Sequence, residues 1–252
     1  MTFDNAEFIY LDTTESTNLY TLELLKSRKL ANGSVIAAHT QTRGKGLETN
    51  QWESEPGKNL TATIVLYPSF LSPERQFQLT RVISLSVCTL LDTLDLPDSS
   101  LIKWPNDIYV NHHKIAGILI NNEITGNSIS SSIAGLGLNI NQESFSSNVP
   151  YAVSVKMLAG KEYIVNDILT DWHKQVIYWY DKLISPVSTQ LNDAYMERLY
   201  LLNQPAEYII RGEKMTATIK GLAEYGMLLL ENKSGKQYKC ALKEVVFVRE
   251  TS

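Results

Sequence analysis

The sequence has few cysteines, no excess of positive charge and no long hydrophobic run. Its two cysteines, Cys88 and Cys240, lie far apart without a Cys-x-x-Cys pair or neighbouring histidines, which indicates buried free thiols. The formal net charge of -4 argues against broad nucleic-acid binding. No segment reaches the roughly 20 apolar residues of a membrane-spanning helix, and the N-terminus has no signal-peptide pattern. We therefore expect a cytoplasmic protein that binds neither membranes nor nucleic acid.

What is present is the composition of a globular protein: 252 residues, of which 44% are hydrophobic, enough for a large domain and a small one. Apolar residues at three- and four-residue spacing predict helices at residues 17–30, 73–94, 165–184 and about 189–201. Short apolar stretches between turn residues predict strands at residues 8–11, 35–39, 60–66, 100–104, 107–110, 114–124 and 128–140, and then at 206–211, 214–220, 225–231, 236–241 and 244–248. These patterns predict an α+β protein, with a mixed β-sheet and packed helices in residues 1–203 and a small β-barrel in residues 204–252.

The most informative motif is the run Lys103-Trp104-Pro105-Asn106-Asp107, with Lys114 eleven residues after its first member. The proline marks the end of a strand, so Asn106 and Asp107 lie at a turn, and the return strand brings Lys114 back beside them. Two lysines, an amide and a carboxylate in one hairpin indicate a site for anionic phosphates. Taken singly, each residue has a plainer explanation, because most lysines are solvated and a Trp-Pro pair often marks a core contact before a turn.

Two further segments carry polar groups or glycines suited to a ligand. Ser16, Thr17 and Asn18 stand at a predicted helix start, where they either cap the helix or offer hydroxyl and amide groups to a ligand. The apolar strand from Gly135 to Asn139 has its two glycines, Gly135 and Gly137, on one face. Such a strand is either crowded by neighbouring atoms or forms a flat floor for a ligand.

A long loop between two predicted strands, residues 40–59, contains the remaining candidates. Gln41 precedes a segment with Gly44, Lys45 and Gly46, and Trp52 follows. Glycine lets backbone amides approach a ligand closely. The Walker spacing is missing, however, and two alternate glycines alone are weak evidence for a nucleotide. The tryptophan is either a core residue or a residue that stacks on a ligand.

Taken in their order along the chain, the four segments resemble those of the biotin protein ligases over roughly residues 8–140. The resemblance implies a catalytic domain of the class II aminoacyl-tRNA synthetase and biotin ligase type, followed by an SH3-like barrel. It implies ATP and biotin as substrates with Mg2+. Biotin is activated to biotinyl-5'-AMP and then transferred to a lysine of a biotin carboxyl carrier domain. Whether the protein is a monomer or a homodimer stays open.

The same resemblance implies roles for individual residues. It places Lys114, Lys103 and Asp107 at the catalytic centre, with Asp107 also as the candidate magnesium ligand. The residues it implies in biotin binding are Ser16, Thr17, Asn18, Gln41, Gly44, Lys45, Gly46, Lys114, Gly117, Gly135 and Gly137. The residues it implies in ATP binding are Lys45, Leu47, Trp52, Lys103, Asn106, Lys114 and Asn139.

The loop departs from the family pattern at its tip. Leu47 stands where the family has an arginine, and Glu48, Thr49 and Asn50 replace further basic or glycine positions. Losing one hydrogen bond to a charged group, worth about 1.5–3 kcal/mol, predicts an adenylate that dissociates more readily. Two alternatives stay open: a lipoate-type acyl ligase of the same fold, and a catalytically weakened biotin- or nucleotide-binding homologue. The roughly fifteen residues before Ser16 are too few for a helix-turn-helix module, so a DNA-binding form is not expected.

Overall fold

The computed structural model describes residues 3–46, 50–147, 149, 151–185 and 189–248. Its helices are α1 (Thr17–Ser27), α2 (Phe77–Leu91), α3 (Val155–Ala159), α4 (Val165–Ile184) and α5 (Gln190–Glu197). Its strands are β1 (Phe8–Thr14), β2 (Val35–Gln41), β3 (Leu60–Leu66), β4 (Leu101–Lys103), β5 (Asp107–Val110), β6 (His113–Thr125), β7 (Ser128–Leu138), β8 (Pro205–Ile210), β9 (Glu213–Leu222), β10 (Leu228–Asn232), β11 (Gln237–Cys240) and β12 (Val245–Phe247).

Strands β1 to β7 form one mixed sheet in the order β1-β2-β3-β7-β6-β5-β4, with β1 and β2 parallel and the other neighbours antiparallel. Successive residues of a strand point to opposite faces of the sheet. Val35 and Ile64 pack into the main core with α2 and α4, whereas Ile36 and Val65 pack in a second cluster beside α1. Helix α1 therefore covers one face, and α2 with α4 covers the other. The predicted mixed sheet with packed helices is confirmed.

The helices agree with the sequence pattern where that pattern is long. Helix α4 and strand β3 have the predicted bounds. The second predicted helix instead begins with a separate 3-10 turn at Pro73–Arg75, and α2 starts at Phe77. Helix α3 was not expected, because five residues are too few to show a periodic apolar stripe. Its signals are local: the Ser154 hydroxyl accepts a hydrogen bond from the Met157 backbone, and Gly160 ends the helix at φ +70. The predicted break at Pro186 lies outside the described residues.

Strands β8 to β12 form a second, antiparallel sheet in the order β11-β10-β9-β8-β12. This sheet is compatible with the predicted SH3-like domain, but the pairing among the described residues leaves β11 and β12 as edges and closes no barrel. Tyr208 and Ile219 of this sheet belong to the same apolar core as α2 and α4. The indole nitrogen of Trp104 donates a hydrogen bond to the carbonyl oxygen of Gly226 at 2.8 Å. The two sheets therefore share one core, and the domain boundary at residues 203 and 204 stays a prediction.

Both cysteines are buried free thiols, as the sequence predicts. Burial raises the pKa of Cys88 to about 11, so this thiol stays protonated near neutral pH and is a poor nucleophile. Among the helices that the described residues form, none combines the length and the apolar character needed to cross a membrane.

Candidate active site

A cavity of about 290 Å³ opens on the α1 face of the large sheet. It is bounded by the start of α1, strands β6 and β7, the turn between β4 and β5, and strand β12. Among the predicted site residues, Gly44 and Asn139 do not line this cavity and Leu47 lies outside the described residues; all the others line it. The structure therefore gathers four distant sequence segments around one space.

At one end of the cavity, the first turn of α1 is held by side chains from β2 and β3. The Oε1 atom of Gln41 accepts hydrogen bonds from the backbone nitrogen of Thr17 at 2.7 Å and from its hydroxyl at 3.1 Å. Ser16 occupies the N-cap position but its hydroxyl makes no capping bond. The expectation that Ser16 or Thr17 caps the helix is therefore wrong, because the side chain of Gln41 satisfies the helix end instead.

The sequence did not single out Thr63, which lies at the centre of this polar end. Its hydroxyl is 2.6 Å from Oδ1 of Asn18 and 2.8 Å from the hydroxyl of Thr17, and its single proton can go to one of them. The Nδ2 atom of Asn18 donates to the carbonyl oxygen of Leu119 at 3.0 Å. All three polar residues are at most 5% exposed, so each hydrogen bond is made away from bulk water. This network fixes a rigid set of donors and acceptors at the closed end of the cavity.

We expect Thr63→Val to destabilise the protein by about 1–3 kcal/mol and to weaken binding of the ligand that occupies this cavity. The change keeps the shape of the side chain but leaves the buried Oδ1 of Asn18 without its donor. Thr61→Val is the matched control, because Thr61 lies on the same strand and donates to the backbone of Ala38, outside the network. Denaturant unfolding and calorimetric titration measure the two effects. Equal ligand affinities in the two variants would contradict the role of the network.

At the other end of the cavity, the strand hairpin places its charged groups together. Lys103 of β4 pairs with Asp107 of β5. Lys114 of β6 lies opposite Tyr109 of β5. The Nζ atom of Lys114 is 2.7 Å from Oδ1 of Asp107, with the two side chains 35% and 20% exposed. An ion pair with this much solvent contact contributes at most about 1 kcal/mol. A phosphate or carboxylate can therefore take the lysine from the carboxylate at little cost.

The turn residue Asn106 is also fixed by strand β6. Its Nδ2 atom donates to the carbonyl oxygen of Ile118, and the backbone nitrogen of Ile118 donates to the backbone carbonyl oxygen of Asn106. One of the two amide hydrogens is thus used by the protein, and the other remains for a ligand in the cavity.

The glycines of the cavity floor accommodate protein side chains. A Cβ atom on Gly137 would lie 2.2 Å from Cε2 of Trp52, and one on Gly117 would lie 3.2 Å from Cζ3 of the same ring. A Cβ atom on Gly135 would lie 2.3 Å from Oδ1 of Asn18. The flat floor predicted for a ligand is therefore covered in part by Trp52 and Asn18, and glycine is required because these side chains rest directly on the backbone.

Residues 44–46 and 50–52 of the loop that carries Trp52 lie antiparallel to each other, with a bridge between Lys45 and Gln51. The backbone nitrogen of Gly46 donates to Asn50 at 2.8 Å, and that of Trp52 donates to Gly44 at 2.9 Å. A Cβ atom on Gly44 would come within 2.5 Å of the carbonyl oxygen of Trp52, which explains glycine there without any ligand. Lys45 lines the cavity. The tip residues 47–49, including the Leu47 substitution, lie outside the described residues.

A second cavity of about 250 Å³ meets the first at Trp52 and Lys114, which line both. Asn139 lies in this second space, where its Nδ2 atom donates to Val153 at 3.1 Å. Within the described part of the chain, its buried Oδ1 and the indole nitrogen of Trp52 have no hydrogen-bond partner. Buried polar atoms are normally paired, so these two atoms are unusual among the residues that line the second cavity.

The described residues contain no group of three or more His, Cys, Asp or Glu side chains that could hold a metal ion. Among the described residues that line the first cavity, Asp107 is the acidic one, and its Oδ1 atom is paired with Lys114. Magnesium is commonly bound by one or two carboxylates together with substrate phosphates. A single carboxylate fits a magnesium ion that arrives with a nucleotide, and the role of Asp107 as its ligand stays a prediction.

Fold and cavities together define an α+β ligand-binding domain with an appended β-sheet that closes one wall of the site. The family model of the Biotin/lipoate A/B protein ligase family matches residues 10–139, more than half of the chain, and the chain belongs to this family. The family predicted from the sequence is confirmed.

Individual relatives agree with this assignment. The bifunctional ligase/repressor BirA of Bacillus spizizenii is 31% identical over 54% of the chain, an alignment that spans 41% of that relative's length. The biotin--[acetyl-CoA-carboxylase] ligase of Paracoccus denitrificans is 25% identical over 90% of the chain and 95% of its own length. Among solved structures, the biotin protein ligase from Aquifex aeolicus in complex with biotin and ATP superposes with a TM-score of 0.78 at 25% identity, covering 97% of this chain and 99% of that one.

Proposed function

We propose that this protein is a biotin protein ligase. In the first step the carboxylate of biotin attacks the α-phosphorus of ATP, the bond to the β-phosphate oxygen breaks, and biotinyl-5'-AMP and pyrophosphate form. In the second step a deprotonated lysine amine of a biotin carboxyl carrier domain attacks the acyl carbon, and AMP leaves. No side chain of the enzyme becomes covalently attached.

The observation that carries this proposal is the position of Lys114 at the junction of the two cavities. The barrier to the first step comes from bringing two anions together, and fixed positive charge at the point of contact lowers it. An acid in the first cavity and a nucleotide in the second would meet at this ammonium group. Lys103 lines the first cavity as well and supplies the second cation.

The ligand groups follow from the two ends of the site. The ureido ring of biotin is rigid and has both donors and acceptors, which match the network of Thr17, Asn18 and Gln41 at the closed end. The adenine would lie in the second cavity, which Trp52 and Asn139 line. Asp107, which forms an ion pair with Lys114, would meet magnesium or the incoming carrier amine.

A lipoate ligase is the second candidate, because the family model covers biotin and lipoate ligases alike. Lipoate ends in a disulfide ring without hydrogen-bonding nitrogen or oxygen. It would displace water from the polar end of the cavity without making hydrogen bonds to Thr17, Asn18 or Gln41 beyond those they already make within the protein, which costs binding free energy. The network therefore favours biotin.

The test uses the protein with ATP, magnesium, labelled biotin and a carrier domain, and measures pyrophosphate release and label on the carrier. We expect release that depends on biotin and label on one carrier lysine, with no label after that lysine is replaced by arginine. Lipoate in place of biotin is expected to give neither signal. Pyrophosphate release with lipoate but not with biotin would establish the second candidate, and release with neither would establish a binding protein.

We expect Leu47→Arg to slow dissociation of the adenylate by about tenfold to a hundredfold. The arginine would restore one hydrogen bond to a charged group, worth about 1.5–3 kcal/mol. Leu47→Met is the control for size without charge. Rapid dilution of enzyme with bound labelled adenylate, followed by filtration, measures the rate. An unchanged rate would contradict the idea that the missing arginine makes the adenylate dissociate more readily. Label on bystander lysines should fall in parallel.

We further propose that the reaction takes place in the cytoplasm. The protein holds two unpaired, buried thiols, which suits a reducing compartment.

Magnesium would enter with ATP as part of the substrate, its charge offsetting the phosphates and aiding the departure of pyrophosphate.

A further inference from the structure

The ammonium group of Lys103 lies against an aromatic ring from the C-terminal sheet. Its Nζ atom is 4.7 Å from the ring centroid of Phe247 and 5.6 Å from that of Tyr109. Phe247 is the last residue of β12 and lines the first cavity. A cation within about 6 Å of an aromatic centroid is attracted to the negative face of the ring. A lysine of the hairpin motif is therefore in contact with a residue far away in the sequence.

The ring of Phe247 is itself held in place. Phe247 pairs with Tyr208 across β12 and β8, and their rings meet edge to face with centroids 5.2 Å apart and planes at 69°. Tyr208 is fully buried, and burial raises its pKa above the ordinary value, so the phenol beneath Phe247 stays neutral. The aromatic face presented to Lys103 is thus a fixed part of the second sheet.

Lysine has a flexible four-carbon stem and loses much rotamer freedom when its ammonium group is held in one place. A wall that holds the charge before the nucleotide arrives lowers the entropy lost at the transition state. The C-terminal sheet is tied to the same hairpin by the hydrogen bond from Trp104 to Gly226, so the ring and the lysine stem are anchored in one frame.

We propose that Phe247 is a positioning residue for Lys103: its aromatic face holds the ammonium group within the cavity, and in this way the C-terminal sheet takes part in forming the adenylate. This inference rests on the proposed function. Phe247 acts through the lysine and does not itself react.

The test replaces Phe247 with 4-fluoro-, 3,5-difluoro- and 3,4,5-trifluorophenylalanine by genetic incorporation. These rings keep nearly the same shape while the negative charge of their face decreases step by step. We expect the rate of biotin-dependent pyrophosphate release to fall with each fluorine, to about tenfold below the parent for the trifluoro ring, with the KM for biotin unchanged. Tenfold corresponds to about 1.4 kcal/mol of transition-state stabilisation.

Substitutions with standard amino acids provide a second test of the same role. Phe247→Leu is expected to lose about tenfold in the same rate, and Phe247→Trp is expected to keep it, since indole binds cations best among the aromatic rings. Tyr238→Leu is the matched control: Tyr238 lies in the same sheet with the ammonium group of Lys236 at 5.0 Å, outside the residues that line the cavity. It is expected to have the parental rate.

The outcomes separate the two proposals. A parent protein without biotin-dependent pyrophosphate release contradicts the proposed function itself. An active parent with all fluorinated variants within twofold of it overturns the role of Phe247, whether or not Phe247→Leu is slow, because a slow leucine variant alone would mean that only packing matters.

Discussion

Replacing Lys114 with alanine is expected to lower the rate of biotin-dependent pyrophosphate release by about 100- to 1000-fold. The ammonium group lies where the two cavities meet, so its loss removes positive charge from the place where, in the proposed reaction, the carboxylate and the α-phosphate approach each other. The size of the effect follows that of removing one preorganised donor from the site of developing negative charge. Single-turnover measurement of pyrophosphate release gives the rate directly.

Lys114→Ala also breaks an ion pair with Asp107, so a control must remove a pair without touching the cavity. Lys174→Ala serves this purpose, because Lys174 pairs with Asp171 at 2.8 Å on helix α4. The free energy of unfolding of both variants should lie within about 1 kcal/mol of the parent value, since ion pairs in contact with solvent contribute little. Lys114→Arg keeps the charge and should retain part of the rate. A parental rate in Lys114→Ala would refute the role assigned to Lys114 at the junction of the two cavities.

Gly137→Ala is expected to destabilise the protein by about 1–3 kcal/mol and to weaken biotin binding by at least about tenfold. The added methyl group would lie 2.2 Å from the indole of Trp52, which packs flat on the strand, so the ring must move into one of the two cavities. Denaturant unfolding gives the first quantity, and calorimetric titration with biotin gives the second.

A double-mutant cycle tests whether the clash is the cause. In a Trp52→Ala background the methyl group no longer meets the indole, so Gly137→Ala should cost at least about 1 kcal/mol less there than in the parent. Additive effects on stability would mean that the indole does not rest on Gly137. Activity need not recover in the double variant, because Trp52 lines both cavities.

The parts of the fold that were predictable have strong local patterns. Helix α4 repeats apolar residues at helical spacing over twenty residues, and β3 is a continuous apolar run between polar segments, so both have the predicted bounds. The turn between Lys103 and Asp107 was predictable because Pro105 marks it, and β5 then pairs with both β4 and β6. The prediction that both lysines face one cavity came from their place in this motif, and both do line the first cavity.

The parts that were not predictable depend on contacts between distant segments. Thr63 is 46 residues from Thr17 and looks like any other residue of an apolar strand. The side chain of Gln41, at the end of β2, accepts the hydrogen bond from the first backbone nitrogen of α1. The local rule that Ser or Thr caps its own helix therefore failed here. Phe247 reaches the cavity only because the second sheet packs on the hairpin. No periodicity within a single segment reports these contacts.

The indole of Trp52 offers a label-free optical signal of substrate occupancy. Its ring stands at the junction of the two cavities, with the ammonium group of Lys114 at 5.8 Å, and nearby charge shifts the emission of an indole. Trp172 and Trp179 lie in the core and should contribute a constant background. Trp104 also lines the first cavity, and its response is the one that remains in a Trp52→Phe protein. Fluorescence titration, compared with a Trp52→Phe protein, can therefore report the order in which the vitamin and the nucleotide arrive.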